Sequence, residues 1–136
     1  MVITDLNLSY FCLDCGKRYI VSNWCKECNG KLLQQDFSNW TSKNEFIDKF
    51  IQETQLNAQD QDQVLEWIPY NKLINIEKYL EGRFSTIYKA IWTGGPIKEW
   101  SNIEGEWARY NNKTVVIKTL GNLLNLNEEI LNKVWY

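Results

Sequence analysis

Four cysteines near the start of the chain have the spacing of metal ligands. They form two C-x₂-C pairs separated by nine residues, and a two-residue spacing lets both thiolates of a pair face one ion. Gly16 and Gly30 follow the pairs closely, where each would permit a tight backbone turn. Four thiolates close the tetrahedral shell of Zn²⁺ and leave no position for water, so the pattern predicts a structural zinc site and not a catalytic one. The predicted ligands are Cys12, Cys15, Cys25 and Cys28.

The cysteine pattern leaves other chemistry open. Two disulfides or four free buried thiols would have the same spacing, and iron in a rubredoxin-like site uses the same ligand set. The first residues, MVITDLNLSYFC, lack the basic region of a secretory signal, and no apolar run reaches membrane-spanning length. We therefore expect a cytoplasmic protein, with the nucleus as the alternative. In both compartments cysteine clusters bind metals more often than they form disulfides.

Composition indicates a globular chain without a general affinity for nucleic acid. Of its 136 residues 44% are hydrophobic, and the net charge is −2. Such a chain can bury a core, but it has no positive field that would attract nucleic acid or an anionic membrane, and neither is expected as a partner. Around the cysteines the cations outnumber the carboxylates by two, an excess too small to indicate a partner. The residues compared are Lys17, Arg18, Lys26 and Lys31 against Asp14 and Glu27.

One amphipathic helix is predicted after the cysteine segment. Ser42 and Glu45 have the spacing of a capping box, in which each side chain accepts a hydrogen bond from an otherwise unpaired amide. The helix is predicted over residues 43–57 and docks by an apolar stripe, and the polar run at residues 58–63 is predicted to be a linker. The stripe consists of Phe46, Ile47, Phe50 and Ile51.

The rest of the chain has the pattern of a small β-sheet. Stretches rich in β-formers at residues 73–80, 86–92 and 114–120 predict three strands. Residues 93–113, which contain several glycines and a proline, are predicted to be a long loop, and a helix is predicted to begin near Asn127.

The expected fold class is α+β, with three parts. Residues 1–36 are predicted to form a small four-cysteine module of the zinc-ribbon type, in which residues 17–24 between the cysteine pairs can form a strand. Residues 37–63 hold the amphipathic helix and linker, and residues 64–136 hold the three-stranded antiparallel sheet and the start of the last helix.

Two motifs in the sheet region resemble those of a known family. Residues 76–90 read IEKYLEGRFSTIYKA and residues 115–118 read VVIK. Together they resemble the glycine loop and third-strand lysine of the eukaryotic protein-kinase N-lobe, and they are especially similar to a group of fungal kinase-like proteins. Members of that group also have a Cys-rich N-terminus, an FxNWTS-type helix, an EWIP segment and Trp-containing insertions, all of which this chain matches in order.

The resemblance implies a nucleotide site. In kinases the glycine loop covers the ATP phosphates, and the lysine pairs with those phosphates and with a glutamate on the following helix. This chain departs from that pattern, with Leu80 at one glycine position and Arg83 adding bulk to the loop. Lys133 stands at the glutamate position, with Glu129 one turn earlier as the alternative. The implied nucleotide-binding residues are Gly82, Phe84, Ser85, Ile87 and Lys118.

Catalysis is not expected from this chain. Kinases need an Asp that accepts the substrate proton, and an Asn and an Asp that hold Mg²⁺, all after the third-strand lysine. No Asp follows Lys118, and the sequence contains no His. The resemblance therefore implies an inactive N-lobe fragment with weak affinity for ATP and Mg²⁺. Expected partners are another protein, a full-length kinase, or a second copy bound through the exposed sheet face. The alternative is a zinc-ribbon interaction module that uses the sheet as a scaffold.

Overall fold

The chain divides into two compact units, Met1–Glu66 and Trp67–Tyr136, in a computed structural model that describes residues 11–18 and 24–120. The described α-helices lie in the first unit and the described β-strands in the second, which confirms the predicted α+β class. The helices are α1 (Lys26–Gln35) and α2 (Glu45–Asn57). The strands are β1 (Leu73–Glu81), β2 (Ser85–Trp92), β3 (Ile97–Ser101), β4 (Glu106–Arg109) and β5 (Lys113–Leu120). Neither of these helices has the length and apolar character needed to cross a membrane.

Helix α1 begins at the second cysteine pair. Cys25 is its N-cap, and the Cys25 Sγ accepts a hydrogen bond from the Cys28 amide at 3.5 Å. The prediction that Gly30 serves a tight turn is wrong, because Gly30 is buried inside α1 next to Leu56 of α2. The absent side chain lets the two helices approach closely there. Of the strand predicted between the pairs, residues 19–23 lie outside the described residues.

Replacing Gly30 by alanine should stabilise the first unit. The added methyl group would lie at an ordinary contact distance of 3.8 Å from Leu56, and alanine is more favourable than glycine in a helix interior by about 1 kcal/mol. Urea unfolding of the metal-loaded protein, followed by the far-UV signal of the helices, should show a gain of up to about 1 kcal/mol. Lys31→Ala, at an exposed position of the same helix, should change the free energy of unfolding much less. A loss of stability in Gly30→Ala would show that the two helices cannot accept a methyl group between them.

Helix α2 begins two residues later than the sequence predicts. Lys43 has a φ of 62°, a left-handed conformation that cannot continue into a right-handed helix. Asn44 is the N-cap, and its Oδ1 accepts hydrogen bonds from the second and third amides of the helix at 3.0 and 3.2 Å. The predicted capping box of Ser42 with Glu45 is therefore wrong.

Ser42 bonds instead to Asp48, one turn into α2. Asp48 Oδ1 accepts hydrogen bonds from the Ser42 amide at 2.7 Å and from the Ser42 hydroxyl at 2.5 Å, and Oδ2 accepts one from the Thr41 hydroxyl at 2.5 Å. Burial raises the pKa of Asp48, but the three donors outweigh burial and hold that pKa below its ordinary value. These bonds close the loop that leads into α2.

Asp48→Asn should destabilise the first unit at pH 7. Because the pKa of Asp48 is lowered by folding, its carboxylate contributes stability above the unfolded pKa of about 3.9, and that stability is lost as pH falls through the folded value. At pH 7 the whole contribution is present, and removing the charge should cost about 1–2 kcal/mol. Urea unfolding at pH 7 measures the difference. Glu53→Gln, at an exposed acid of the same helix, should be nearly neutral. Equal losses in the two variants would contradict the role of Asp48.

Only part of the predicted apolar stripe of α2 is buried. Ile51 is 2% exposed, whereas Phe46 and Phe50 are 88% and 53% exposed. The prediction that all four stripe residues dock the helix is wrong, because the buried face of α2 runs through Ile51 and Gln55. Gln55 is held there by its Nε2, which donates to the Leu65 carbonyl at 2.8 Å.

The predicted linker is packed into the first unit. Ala58 is buried, and its carbonyl accepts a hydrogen bond from the Trp24 Nε1 at 3.0 Å. Asp60 then caps a short 3₁₀ helix, Gln61–Gln63. The division between the two units falls after Glu66, three residues beyond the predicted linker.

The second unit contains a three-stranded antiparallel sheet in the order β1-β2-β5, built from the three stretches predicted to be strands. One face is buried: Tyr88 of β2 and Ile117 of β5 are cross-strand partners in the core. Thr86 and Thr119 continue this face and are fully buried. The opposite face carries Lys118 and is largely exposed.

A second sheet of two strands, β3 and β4, occupies the region predicted to be a loop, so that prediction is wrong. Trp100 and Trp107 are cross-strand partners whose rings meet edge to face, with centroids 5.3 Å apart and planes at 80°. Aromatic cross-strand pairs of this kind stabilise hairpins. Gly95, with a φ of 67°, lies just before β3 and therefore marks the entry to the hairpin. The helix predicted near Asn127 lies outside the described residues.

Candidate metal centre

The first cysteine pair lies on a tight turn. The Cys12 amide donates to the Lys17 carbonyl and the Gly16 amide donates to the Cys12 carbonyl, both at 2.8 Å. Gly16 has a φ of 73°, which side-chain-bearing residues rarely adopt, so this glycine serves the turn that the sequence predicts. An isolated antiparallel bridge between Phe11 and Arg18 flanks the turn. Cys12 and Cys15 are thereby held close together.

The second cysteine pair comes from the first turn of α1. Cys25 is the N-cap and Cys28 follows three residues later, which places both on one side of the helix start. Sequence reasoning misses this helix because Gly30 resembles a turn residue. The signal that could have found it is the run KLLQQ after Gly30, which consists of good helix formers.

The four cysteine side chains converge in a cluster of metal-site dimensions. All four Sγ atoms lie within 4.8 Å of one another, with 3.8 Å between those of Cys12 and Cys28 and 3.6 Å between those of Cys15 and Cys25. A disulfide bond would measure about 2.05 Å, and all four residues are free thiols, so the structure does not contain the two alternative disulfides. A tetrahedron with metal–sulfur bonds of about 2.3 Å has sulfur–sulfur edges of about 3.8 Å. The cluster suits a metal ion.

Cys12, Cys25 and Cys28 have pKa values shifted in different directions. Burial raises the pKa of Cys12, but hydrogen bonds from the Cys15 and Asp14 amides outweigh burial and lower that pKa to about 7. Burial raises the pKa of Cys25, and burial together with the neighbouring thiols raises the pKa of Cys28. The cluster therefore favours one thiolate and disfavours further negative charge beside it. A bound cation would remove that penalty.

The residues whose sequence resembles a kinase glycine loop form the turn between β1 and β2. The Gly82 amide donates to the Ser85 carbonyl at 2.7 Å, which closes the turn. Phe84 is exposed, and the guanidinium carbon of Arg83 lies 5.6 Å from the centroid of its ring. Gly82, Phe84 and Ser85 thus lie together at one end of the sheet.

The remaining two implied nucleotide-binding residues lie in one cross-strand row. Ile87 of β2 pairs with Leu80 of β1 on one side and with Lys118 of β5 on the other. Lys118 is exposed and alternates with the buried Ile117. This placement brings Lys118 to the end of the sheet that carries the turn. A strand that alternates buried and exposed residues would place a lysine in the same way without any nucleotide site. Glu129 and Lys133 lie outside the described residues.

No protein-family model, curated protein or solved structure matches the chain. The resemblance to the kinase N-lobe therefore rests on the sequence motifs, and the metal centre rests on the geometry of the four cysteines.

Proposed function

We propose that the chain is a non-catalytic binding protein whose first unit is stabilised by a structural zinc ion. The observation that carries this proposal is the size of the cysteine cluster, whose sulfur–sulfur distances of 3.6 and 3.8 Å fit a tetrahedral thiolate shell with edges of about 3.8 Å. Cys12, Cys15, Cys25 and Cys28 would hold the ion. Four thiolates leave no open position for a reacting water, so the ion would join the turn of the first pair to the start of α1 and perform no chemistry.

Zinc titration of the reduced, metal-free protein against a competing chromophoric chelator tests this proposal. One equivalent should bind per chain. Cys15→Ser should weaken binding by more than the roughly 10–100-fold loss typical of a supporting residue. Leu13→Ser is the matched control, because Leu13 lies in the same turn and is 84% exposed. Absence of a stoichiometric site, or equal weakening in the two variants, would contradict the proposal.

We propose further that the second unit is a kinase-type N-lobe with a weak, non-catalytic nucleotide site. The support is the row of Leu80, Ile87 and Lys118 beside the β1–β2 turn, which gathers the motif residues at one end of the sheet. Lys118 would contact phosphate oxygens, and Ile87 would contact the base. The nucleotide would carry its Mg²⁺, and no residue of the chain would transfer the phosphoryl group.

A competing proposal treats the sheet as a scaffold for protein contacts. The face that carries Lys118 also exposes the apolar side chains of Ile74, Leu80 and Val116. Grouped apolar side chains on a surface are typical of interaction sites. The occupant would then be another protein, a full-length kinase or a second copy of this chain.

Mg-ATP titration separates these two proposals for the sheet. A retained site predicts saturable binding that is lost in Lys118→Ala, because the lysine supplies the charge that faces the phosphates. Lys113→Ala is the matched control, at an exposed lysine of the same strand. Calorimetry should find binding in the wild type and in the control only. No binding at millimolar nucleotide would remove the nucleotide site and favour the scaffold.

A further inference from the structure

A cavity of about 290 Å³ lies beside the cysteine cluster in the first unit. We propose that it binds a small phosphate monoester. Its wall includes Cys25, one of the four clustered cysteines, but most of the lining comes from charged and polar side chains. Those other lining residues are Lys17, Arg18, Trp24, Lys26, Glu27 and Gln59.

The charge of this lining favours an anion. Three of the lining side chains are cationic and one is a carboxylate, whereas the chain as a whole has a net charge of −2. The Glu27 carboxylate already forms an ion pair with Lys17, with Oε1 and Nζ 3.5 Å apart. Within residues 11–18 and 24–120, Arg18 and Lys26 form no ion pair with a carboxylate. A guanidinium and an ammonium on one cavity wall match the oxygens of a doubly charged phosphate.

The size and the lining of the cavity favour a small ligand with one apolar group. Lys26 and Glu27 are the first residues of α1, so the positive end of the helix dipole lies at the cavity wall. Trp24 is 3% exposed and is fixed by its hydrogen bond to Ala58, which makes its ring a rigid part of the lining. A volume of about 290 Å³ lies just below the range of about 300–1,000 Å³ that is typical of small-molecule sites. It suits a phosphate monoester with one small organic substituent.

Lys17, Arg18 and Lys26 have an alternative role, which the experiment must distinguish from phosphate binding. An ion of charge +2 held by four thiolates leaves a net charge of −2 on the cluster, and Lys17, Arg18 and Lys26 could serve only to offset it. In that case their removal would weaken metal binding, and the cavity would take no anion. Substitution of these cations would weaken phosphate binding in the first role and zinc binding in the second.

Calorimetric titration of the zinc-loaded protein with inorganic phosphate and with phenyl phosphate, at low ionic strength, tests the proposal. We expect one saturable site per chain in the millimolar range, with phenyl phosphate bound more tightly because its ring adds apolar contact with the cavity wall. Arg18→Gln and Lys26→Gln should each weaken the binding of both phosphates by roughly tenfold. Lys31→Gln should leave binding unchanged, since Lys31 is an exposed lysine of α1 that does not line the cavity.

Three results would overturn the proposal. The first is no saturable binding of either phosphate, and the second is an equal loss in Lys31→Gln, which would indicate general charge attraction. The third is a loss of zinc affinity in Arg18→Gln and Lys26→Gln with phosphate binding unchanged, which would assign these cations to the metal cluster. Zinc content measured on the same samples keeps a failure of phosphate binding distinct from a failure of the zinc site.

Discussion

Removing the metal should unfold the first unit while the sheet of the second unit stays folded. The described part of the first unit buries few apolar side chains, and two of the six buried ones are cysteines of the cluster. Small units with so little core depend on metals or disulfides. The six are Cys12, Trp24, Cys25, Leu33, Ile51 and Ala58.

The expected effect of metal removal is large because two terms act together. Structural zinc sites contribute about 10–16 kcal/mol of apparent binding free energy, which is as large as the whole stability of an ordinary domain at about 5–15 kcal/mol. Without the cation, burial and the neighbouring thiols raise the pKa of Cys28, so this thiol stays protonated and offers no attraction that could replace the metal–sulfur bonds. Loss of the ion therefore removes the connection between the first turn and α1.

Hydrogen exchange measured by mass spectrometry resolves this effect by element. After treatment with a strong chelator, amides of α1 and α2 should lose protection, while those of β1, β2 and β5 should keep it. Added zinc should restore protection, and Leu13→Ser should behave as the wild type does. Unchanged protection of α1 and α2 in a sample shown to be metal-free would contradict the structural role of the ion.

Gly95→Ala should strongly destabilise the second unit. A Cβ at Gly95 would lie 1.8 Å from the Tyr110 carbonyl oxygen, and the φ of 67° is unfavourable for alanine as well. The backbone cannot move away cheaply, because the Tyr110 amide donates to the Pro96 carbonyl at 3.0 Å and the Arg109 side chain donates to the Gly95 carbonyl at 2.8 Å. Strain and the loss of these hydrogen bonds should together cost about 3 kcal/mol or more. Urea unfolding followed by tryptophan fluorescence measures the loss, since Trp100 and Trp107 lie on the two hairpin strands.

Gly105→Ala separates the clash from the conformational strain. Gly105 has nearly the same φ, 66°, but a Cβ there would meet nothing within 4 Å. Gly105→Ala should therefore lower the free energy of unfolding only by the cost of placing alanine in the left-handed conformation, about 1–2 kcal/mol. If the two variants lose equal stability, the close approach of Gly95 to Tyr110 is not what holds the start of the hairpin.

The sequence predicts the identity of the clustered cysteines but not the element that carries the second pair. Two-residue spacing brings two thiolates together on a tight turn and also on the first turn of a helix, so spacing alone does not separate the two. The structure contains one of each: Gly16 is left-handed after the first pair, and Gly30 is helical after the second. A glycine in a sequence is compatible with an unusual backbone conformation or with close packing of another segment against it. Only the position of helix α2 shows that Gly30 allows Leu56 to pack closely against α1.

The other incorrect predictions from the sequence also have local causes. The start of α2 depends on the left-handed conformation of Lys43, which no side-chain pattern indicates. The β3–β4 hairpin is missed because its strands are short and lie among glycines, although Trp100 and Trp107 have cross-strand positions. The strands of the three-stranded sheet are predicted well, because long runs of β-formers with an alternating buried face are strong signals.

X-ray absorption spectroscopy at the zinc edge, on protein purified without chelators, tests the central claim most directly. The spectrum should show one zinc ion per chain with four sulfur neighbours at about 2.3 Å. Oxygen or nitrogen neighbours in place of sulfur, or folded protein that contains no metal, would contradict a structural zinc site formed by Cys12, Cys15, Cys25 and Cys28.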